Sequence, residues 1–383
     1  MMERRQILDL AQLAPGESAL LVTLVAVSGS SYRRPGAQVL LLPDGRHAGI
    51  LSGGCLEAEI ARKAPWLARE GAVLQRYSTQ MDDVSEIPFG LGCGGQIDLL
   101  IEPTDTPEFA ALLTALRASV DGSPRTVITV LPTSTSPLQR LVLAADSSIL
   151  FASESLAPTA VQSLIWLRRS TSAVFVQPLL PPQRLIVFGA GDDAQPLVNL
   201  AATLGWHIIV ADGRAQLARA ERFPHAHSVV VLTEDHNLAA LNLQPADAVV
   251  LMTHSYAQDL ALLTQLLPVA PRYLALLGAR HRTSLLVSQA AAALGLSMEE
   301  CAERLHAPAG LDLGGDAPAS VALAILAEAH ARCAGRNAQS LRIHGTQLWQ
   351  HLEDAIRSGS PPLVCAMDSS ASSLASTTPP AED

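Results

Sequence analysis

The chain has 383 residues, 49% of them hydrophobic, which is enough for two domains that each bury an apolar core. Its 26 Lys and Arg stand against 36 Asp and Glu, and the net charge of −10 argues against broad binding of nucleic acid or anionic lipid. The charged start MMERRQ lacks the apolar core of a signal peptide, and no apolar run reaches the roughly 18 residues of a membrane helix, so we expect a cytoplasmic protein.

The first part of the chain mixes strand and helix patterns and predicts an N-terminal α+β domain over residues 1–178. Apolar runs at 20–27 and 39–42 predict two strands, and the turn PDGR after the second run predicts a hairpin. A helical pattern follows, with Pro65 marking a kink or break. Further strands are expected at AVLQRYS and IDLLIEP, and after them two helices and the two strands RTVITVL and LQRLVLA.

Two cysteines of this domain lie in glycine-rich loops. Cys55 follows Gly53 and Gly54 directly before the helix. Cys93 precedes Gly94 in the loop GLGCGGQ. Unsatisfied amides at a helix N-terminus stabilise a thiolate, and glycine neighbours expose backbone donors, so both positions favour reactive sulfur. The alternative is that both thiols fill the core, because cysteine is among the most often buried residues.

The second part of the chain predicts a C-terminal Rossmann-like domain over residues 179–358. The apolar runs RLIVF, HIIVA, SVVVL, DAVVL and YLALL indicate strands that are buried on both faces of a doubly wound parallel sheet. The stretch LLPPQ before them marks the domain boundary. The loop APAGLDLGGDAP precedes an apolar helix from about Pro318 and could hold an anion at the start of that helix. The alternative is an ordinary helix start with Asp316 as the cap. The Ser-, Pro- and Ala-rich tail at 359–383 is expected to be disordered.

A strand, the loop GAGDD and a helix form a dinucleotide-type fingerprint in this domain. Gly189 and Gly191 permit a tight turn and let a phosphate approach the helix amides, and Asp212 stands where a ribose hydroxyl would be bound. Asp192 and Asp193 in the first helical turn would, however, repel a pyrophosphate. The fingerprint therefore predicts the Rossmann topology and leaves NAD(P) binding open, because a fold alone does not carry a function.

Four arginines lie beside glycine or proline loops, where a forked guanidinium can bind phosphate. They are Arg33 and Arg34 in SYRRPG, and Arg280 and Arg282 in GARHR. Each of them can equally be a solvated surface charge. The histidines show no metal-ligand spacing with the cysteines, so no metal site is assigned. Five scattered cysteines, an odd number, do not fit a disulfide framework.

Distinctive motifs follow one another along residues 18–332: GSSYRRPGAQVLL, SGGCLEAEI, GLGCGGQIDLLIEP, VFGAGDDAQPLVNLAATLGW, YLALLGARHR and LHAPAGLDLGGDAPASVALAILAE. In this order they resemble the XdhC/CoxI family, the xanthine dehydrogenase accessory proteins. The resemblance implies a chaperone of purine catabolism, without turnover of its own, that binds the molybdenum cofactor (molybdopterin). Such a chaperone shields the cofactor while a partner cysteine desulfurase supplies the sulfur that replaces the terminal oxo ligand of the cofactor. It then hands the cofactor to an apo molybdenum hydroxylase of the xanthine dehydrogenase type.

On this resemblance Cys55 and Cys93 carry the chemistry, because a soft thiolate suits molybdenum or a persulfide in transit. We expect the cofactor between the two domains, with Arg33 or Arg34 on one side and the GAGDD or GARHR loop on the other. The residues expected to bind it are Arg33, Arg34, Gly53, Gly54, Gly94, Gly189, Gly191, Asp212, Arg280 and Arg282.

Two other functions stay open at this point. One is an NAD(P)-dependent oxidoreductase that uses the Rossmann domain, with Cys55 and Cys93 on the substrate side, although no acid-base set follows the fingerprint. The other is a scaffold that bridges the desulfurase and the target enzyme without binding the cofactor. The sequence also leaves a homodimer open.

Overall fold

The computed structural model describes residues 2–340 apart from residues 15, 30, 79–94, 168 and 233–237. The described residues form two compact units. The N-terminal unit contains residues 6–118 and 124–179, and the C-terminal unit contains residues 180–340 with 2–5 and 119–123. Cys93, Gly94, the side chain of Cys55 and the tail predicted to be disordered lie outside what the structure describes.

An antiparallel sheet of five strands, in the order β3-β2-β1-β5-β4, forms the first layer of the N-terminal unit. Its strands are β1 (Leu20–Ser28), β2 (Gln38–Leu41), β3 (His47–Gly49), β4 (Val73–Ser78) and β5 (Gln96–Pro103). Strands β2 and β3 form the predicted hairpin. The Leu42 N–H closes it with a hydrogen bond of 2.9 Å to the Arg46 carbonyl.

Helix α2 (Cys55–Leu67) begins directly after the glycine loop, as the sequence predicts, and packs on this sheet. Leu56 and Ile60, four residues apart on one face, are buried in the same core cluster as Val22 of β1. The helix is not interrupted at Pro65 and runs on to Leu67. Pro65 removes one backbone N–H from the hydrogen-bond ladder, and only Trp66 and Leu67 follow it in the helix.

A second antiparallel sheet, of four strands in the order β8-β7-β6-β9, completes the N-terminal unit. Its strands are β6 (Arg125–Val130), β7 (Gln139–Ala144), β8 (Ile149–Ala152) and β9 (Val174–Leu179). The remaining helices of the first half are α1 (Met2–Leu13), α3 (Pro107–Val120) and α4 (Pro158–Ile165). Val25, Leu100 and Phe175 belong to one core cluster that joins strands of both sheets. The sequence predicts β6 and β7 and misses β8 and β9.

A parallel sheet of five strands, in the order β12-β11-β10-β13-β14, forms the C-terminal unit and confirms the Rossmann-like topology. Its strands are β10 (Arg184–Phe188), β11 (His207–Asp212), β12 (Ser228–Val231), β13 (Ala248–Leu251) and β14 (Tyr273–Leu276). All four residues of β13 and of β14 are buried, as expected for strands covered on both faces.

Helices cover both faces of the parallel sheet. Those that share one core cluster are α5 (Ala194–Thr203) and α9 (Pro318–Cys333), and those that share the other are α6 (Tyr256–Val269), α7 (Arg280–Leu294) and α8 (Met298–Arg304). The N-cap of α9 is Ala317, without a side-chain hydrogen bond, so the alternative in which Asp316 caps this helix is wrong. Pro318 at the first helical position has its φ preset for a helix. No helix in the described part of the chain is both long and apolar enough to span a membrane.

Candidate functional site

The loop at residues 52–54 leads directly into α2. Gly54 is the N-cap residue and has a φ of +114°, which favours glycine. Gly53 and Gly54 are exposed, and a Cβ built on either would meet no atom within 4 Å. Cys55 is the first residue of the helix, where backbone N–H groups lack partners within the helix. The backbone of this motif is therefore open to close approach by a ligand.

The carboxylate of Glu57 ties this loop together. Its Oε1 accepts the backbone N–H of Leu51 at 2.7 Å and that of Ser52 at 2.5 Å. Its Oε2 accepts the backbone N–H of Gly54 at 3.0 Å and the hydroxyl of Ser52. Glu57 is only 7% exposed. The sequence analysis did not single out Glu57, because the full signature of a capping box needs Ser or Thr at the N-cap and here the N-cap is Gly54.

The hydrogen bonds to Glu57 keep its carboxyl group ionised. Burial alone would raise the pKa of Glu57, but the hydrogen bonds from Ser52 and Leu51 outweigh burial and lower the pKa below its usual value. All these donors stabilise the charged form. Glu57 therefore serves as an anchor for the loop and is poorly suited to give or take a proton.

A cleft of about 1090 Å³ lies beside this loop within the N-terminal unit. Gly53, Gly54 and Glu57 contribute to its lining. The hairpin and α2 supply further lining residues, among them Leu42, Arg46, His47, Ile50, Ala58 and Ala61. Apolar walls with a few polar groups are typical of sites for small molecules, which commonly have volumes of about 300–1,000 Å³.

Arg46 is the cationic side chain that the hairpin brings to this cleft. Its Nε donates to Oδ2 of Asp44 at 2.5 Å, and its Nη2 donates to Oε1 of Glu17 at 3.2 Å. The two carboxylates fix the position of a side chain that is still 48% exposed. The motif PDGR predicts the turn but not Arg46 as a site residue, because a turn motif does not show which way its side chains point.

Two residues predicted for the site in the N-terminal domain do not line this cleft. Arg33 and Arg34 lie in the loop between β1 and β2 and are not among the lining residues. Cys93 and Gly94 lie outside the described residues. Among the described residues, the cleft thus brings together only the glycines of the SGGC motif with the start of α2.

The glycine loop of the C-terminal unit connects β10 to α5. Gly189 has a φ of +123°, and a Cβ there would collide with the carbonyl oxygen of Met252. A Cβ on Gly191 would collide with the carboxylate of Asp193. Gly189 is therefore required by the packing of this chain, whether or not the loop binds a ligand, whereas the side chain of Asp193 can move to make room for a Cβ at position 191.

Both acids of the GAGDD loop have partners. Asp192 Oδ1 accepts from Arg222 Nη2 at 2.6 Å, and its side chain is 94% exposed. Asp193 Oδ2 lies 2.7 Å from His254 Nε2, and this contact is an ion pair when the imidazole is protonated. The loop thus presents its own carboxylates near the helix N-terminus, where a pyrophosphate would have to approach.

Asp212 lies at the end of β11, in the predicted ribose position, but it is only 1% exposed. Its Oδ2 accepts the Ala190 N–H and Arg214 Nη2, both at 2.7 Å. Its Oδ1 accepts the Arg214 N–H at 2.8 Å and Arg214 Nε at 3.0 Å. Burial would raise the pKa of Asp212, but the hydrogen bonds from Arg214 and Ala190 outweigh it and lower the pKa. Both oxygens bind Arg214, and Oδ2 also holds the glycine loop through the Ala190 N–H.

The two arginines of GARHR have different surroundings. Arg282 Nη2 donates to Oδ2 of Asp259 at 2.6 Å, and Asp259 is fully buried. The hydroxyl of Thr253 donates to the other oxygen of Asp259 at 2.7 Å. Arg280 is the first residue of α7 and is exposed. Arg282 therefore neutralises a buried acid, whereas Arg280 is a surface charge.

Two cysteines of the C-terminal unit are free thiols in protected positions. Cys301 is fully buried, Cys333 is half-buried, and burial raises the pKa of both thiols. A raised pKa disfavours the reactive thiolate. Within the described ranges, no three His, Cys, Asp or Glu side chains are grouped so that they could hold a metal ion.

Two family descriptions match separate parts of the chain. Residues 12–78, which contain the loop and most of the cleft, match the XdhC and CoxI family. Residues 185–329 match the XdhC Rossmann domain.

Whole proteins are similar over most of their length. A protein of Bacillus subtilis, named as a probable xanthine dehydrogenase subunit, is 31% identical over 325 residues, which cover 83% of this chain and 94% of that protein. The molybdenum cofactor insertion chaperone PaoD of Escherichia coli is 28% identical over 321 residues, which cover 82% and 84%. The crystal structure of a xanthine dehydrogenase from Bacillus halodurans is 28% identical, with a TM-score of 0.75 and coverage of 89% and 98%.

Proposed function

Because this chain belongs to the XdhC and CoxI family, we propose that it binds the molybdenum cofactor and supports its insertion into a molybdenum hydroxylase of the xanthine dehydrogenase type. Two relatives support this proposal by their names, one as part of a xanthine dehydrogenase and one as a molybdenum cofactor insertion chaperone. Both are similar to the chain over more than four fifths of its length.

The observation that carries the proposal is the cleft beside the SGGC motif. The cofactor is a flat pterin with a phosphate and a metal, so a site for it needs apolar walls, anion donors and a soft ligand. Leu42 and Ile50 are apolar lining residues. Arg46, which also binds Asp44 and Glu17, and His47 are lining residues that can donate hydrogen bonds to a phosphate. Cys55 directly follows the lining residue Gly54. The residues present therefore fit this cargo.

Cys55 and Cys93 are proposed to act through their thiolates, which are soft ligands. A thiolate can bind molybdenum or carry a persulfide, and the start of a helix stabilises the thiolate. On this proposal a cysteine desulfurase supplies the sulfur, the chain protects the cofactor during sulfuration, and the recipient apo-enzyme then receives it. The exposed backbone at Gly53 and Gly54 lets the cargo approach the helix start closely.

The competing function, an NAD(P)-dependent oxidoreductase, is less well supported by the C-terminal unit. The carboxylate of Asp212, which would bind the ribose, is buried and bonded to Ala190 and Arg214. Asp192 and Asp193 add negative charge at the loop that would bind the pyrophosphate.

The proposal is tested by the variants Cys55→Ala and Cys93→Ala, co-expressed with a recipient molybdenum hydroxylase. Both variants are expected to fold and to yield recipient that contains molybdenum but lacks activity, because sulfuration or protection fails. The matched control is Cys333→Ala, since Cys333 is half-buried in the other unit and burial raises its pKa. Recipient matured at the wild-type rate by both variants would show that neither thiol carries the chemistry.

A further inference from the structure

The hydrogen bonds of Glu57 extend further than those of an ordinary capping glutamate. A capping box needs only the bond to the N-cap amide, which here is Gly54 N–H. Glu57 also accepts the amides of Leu51 and Ser52, which precede the glycine pair. One buried carboxylate thus fixes the backbone before the glycines and the residue that caps the helix.

Helix α8 provides an internal comparison. Its capping box pairs Ser297 with Glu300, whose Oε2 accepts the Ser297 N–H at 2.7 Å. Glu300 is exposed, whereas Glu57 is buried and lines the cleft. The two glutamates therefore share the bond to the N-cap amide and differ in burial and in the two additional amides. Only α8 has the reciprocal bond from an N-cap side chain, because Gly54 has none.

Ser52 extends the network of Glu57 to the helix itself. Its hydroxyl donates to Glu57 and accepts the N–H of Leu56 at 3.3 Å and of Gly54 at 3.3 Å. Ser52 is 3% exposed. The residues on both sides of Cys55 are therefore bound to the same serine–glutamate pair, while the glycines that precede the helix stay exposed.

We propose that Glu57 is the positioning residue of this site: it holds the loop so that Cys55 stays at the start of α2, beside the cleft. Ser52 is its partner in this role. Glu57 acts through the backbone of the loop and not as a catalytic group. The proposal rests on the proposed function only for the identity of the cargo.

The test measures how fast iodoacetamide alkylates Cys55 as a function of pH in the full chain, by mass spectrometry of the peptide that contains it. If Glu57 positions Cys55, Glu57→Gln puts an amide donor against amide donors, the loop loses its geometry, and the thiol loses the stabilising helix start. The midpoint of alkylation then rises by about one pH unit, towards the value of about 8.5 for free cysteine.

A charge effect alone would shift the midpoint of alkylation in the opposite direction. If Glu57 acted only as a nearby negative charge, its removal would favour the thiolate and lower the midpoint. The variant Glu57→Asp further distinguishes positioning from a charge effect, because it keeps the negative charge but shortens the side chain. Positioning predicts a raised midpoint for Asp as well, whereas a charge effect predicts the wild-type value. The control Glu300→Gln, the exposed capping glutamate of α8, should leave the midpoint unchanged.

A lowered or unchanged midpoint in folded Glu57→Gln would overturn the proposal. If that variant does not fold, Ser52→Ala decides the question, because it removes one donor to Glu57 and the link to Leu56 but keeps the carboxylate. It should raise the midpoint by a smaller amount, and an unchanged midpoint would contradict the proposal. None of these readouts needs the cofactor. A raised midpoint in a protein that binds no pterin would therefore sustain the role of Glu57 and refute the proposed function.

Discussion

Glu57 and Asp212 are buried carboxylates that have the same role in the two units. Each accepts backbone amides and holds a glycine loop, at SGGC in one unit and at GAG in the other. Each is 7% exposed or less, and hydrogen bonding lowers the pKa of each against the effect of burial. At the residue scale, both acids are thus anchors of the loops that contain the glycines.

This arrangement predicts weak binding of nucleotide by the C-terminal unit. Asp192→Gly should change the free energy of unfolding by no more than about 1 kcal/mol, because it removes one exposed ion pair and adds one flexible residue. It should raise the affinity for NAD(H) relative to the wild type, since one carboxylate fewer repels the pyrophosphate. Calorimetry measures both affinities, and Asp121→Gly, an exposed acid outside the loop, is the control. Micromolar binding of NAD(H) by the unmodified chain would contradict this prediction.

The sequence reveals which residues stand at a loop better than it reveals what their side chains touch. The spacing places Asp212 correctly at the end of β11, but spacing cannot show that Arg214, two residues on, engages its carboxylate. Glu57 was missed for a related reason. Its signal, a glutamate at the third helical position, is common on helices, and only its burial and its extra amides set it apart.

At the scale of elements, strand β5 carries two ion pairs that differ in burial. Arg140 of β7 donates from Nη1 and Nη2 to Glu102 of β5 at 2.9 and 3.0 Å, and both side chains are 2% exposed. Arg76 of β4 pairs with Asp98 of β5 at 2.6 Å, with the arginine 68% exposed. The buried pair links the two sheets of the N-terminal unit, whereas the exposed pair joins neighbouring strands of one sheet.

We therefore expect the loss in the free energy of unfolding to differ greatly between the two pairs when the acidic partner loses its charge. Glu102→Gln should lower the free energy of unfolding by about 3–5 kcal/mol, because Arg140 would keep a buried charge without a counterion. The matched change Asp98→Asn should cost less than about 1 kcal/mol, because water solvates Arg76. Urea unfolding of both variants measures the difference. Equal costs would show that the buried pair is not what joins the sheets.

The sequence predicts all of the parallel sheet but only part of the four-stranded antiparallel sheet. Strands β10, β11 and β13 are runs of Val, Ile and Leu without polar alternation, which only a doubly covered sheet accommodates. Strands β8 and β9 are short or interrupted: β8 is largely exposed, and β9 contains Pro178. Such strands form because they pair with neighbouring strands of the sheet, and a single sequence does not show which strands will be neighbours.

At the scale of the whole molecule, the proposed site for the cargo lies in the N-terminal unit. The cleft, Arg46 and the start of α2 all belong to it. The C-terminal unit offers instead a Rossmann fold whose glycine loop is held by its own acids. A position of the cofactor between the two domains, as expected from the sequence, stays a prediction.

The cleft beside the SGGC motif is the proposed site for the pterin of the cofactor. Ala58 and Ala61 are exposed lining residues of α2, so a larger side chain there fills the cleft without entering the core. The variant Ala61→Phe tests this, with Ala292→Phe, an exposed alanine on α7, as the control for adding an aromatic ring.

The decisive measurement is anaerobic equilibration of the full chain with released molybdenum cofactor, followed by separation and fluorescence of the oxidised pterin. We predict that the wild type and Ala292→Phe retain pterin equally, and that Ala61→Phe binds it roughly tenfold more weakly or worse, a loss of about 1.4 kcal/mol. Retention of pterin by Ala61→Phe at the wild-type level, or no retention by the wild type, would contradict the proposed site.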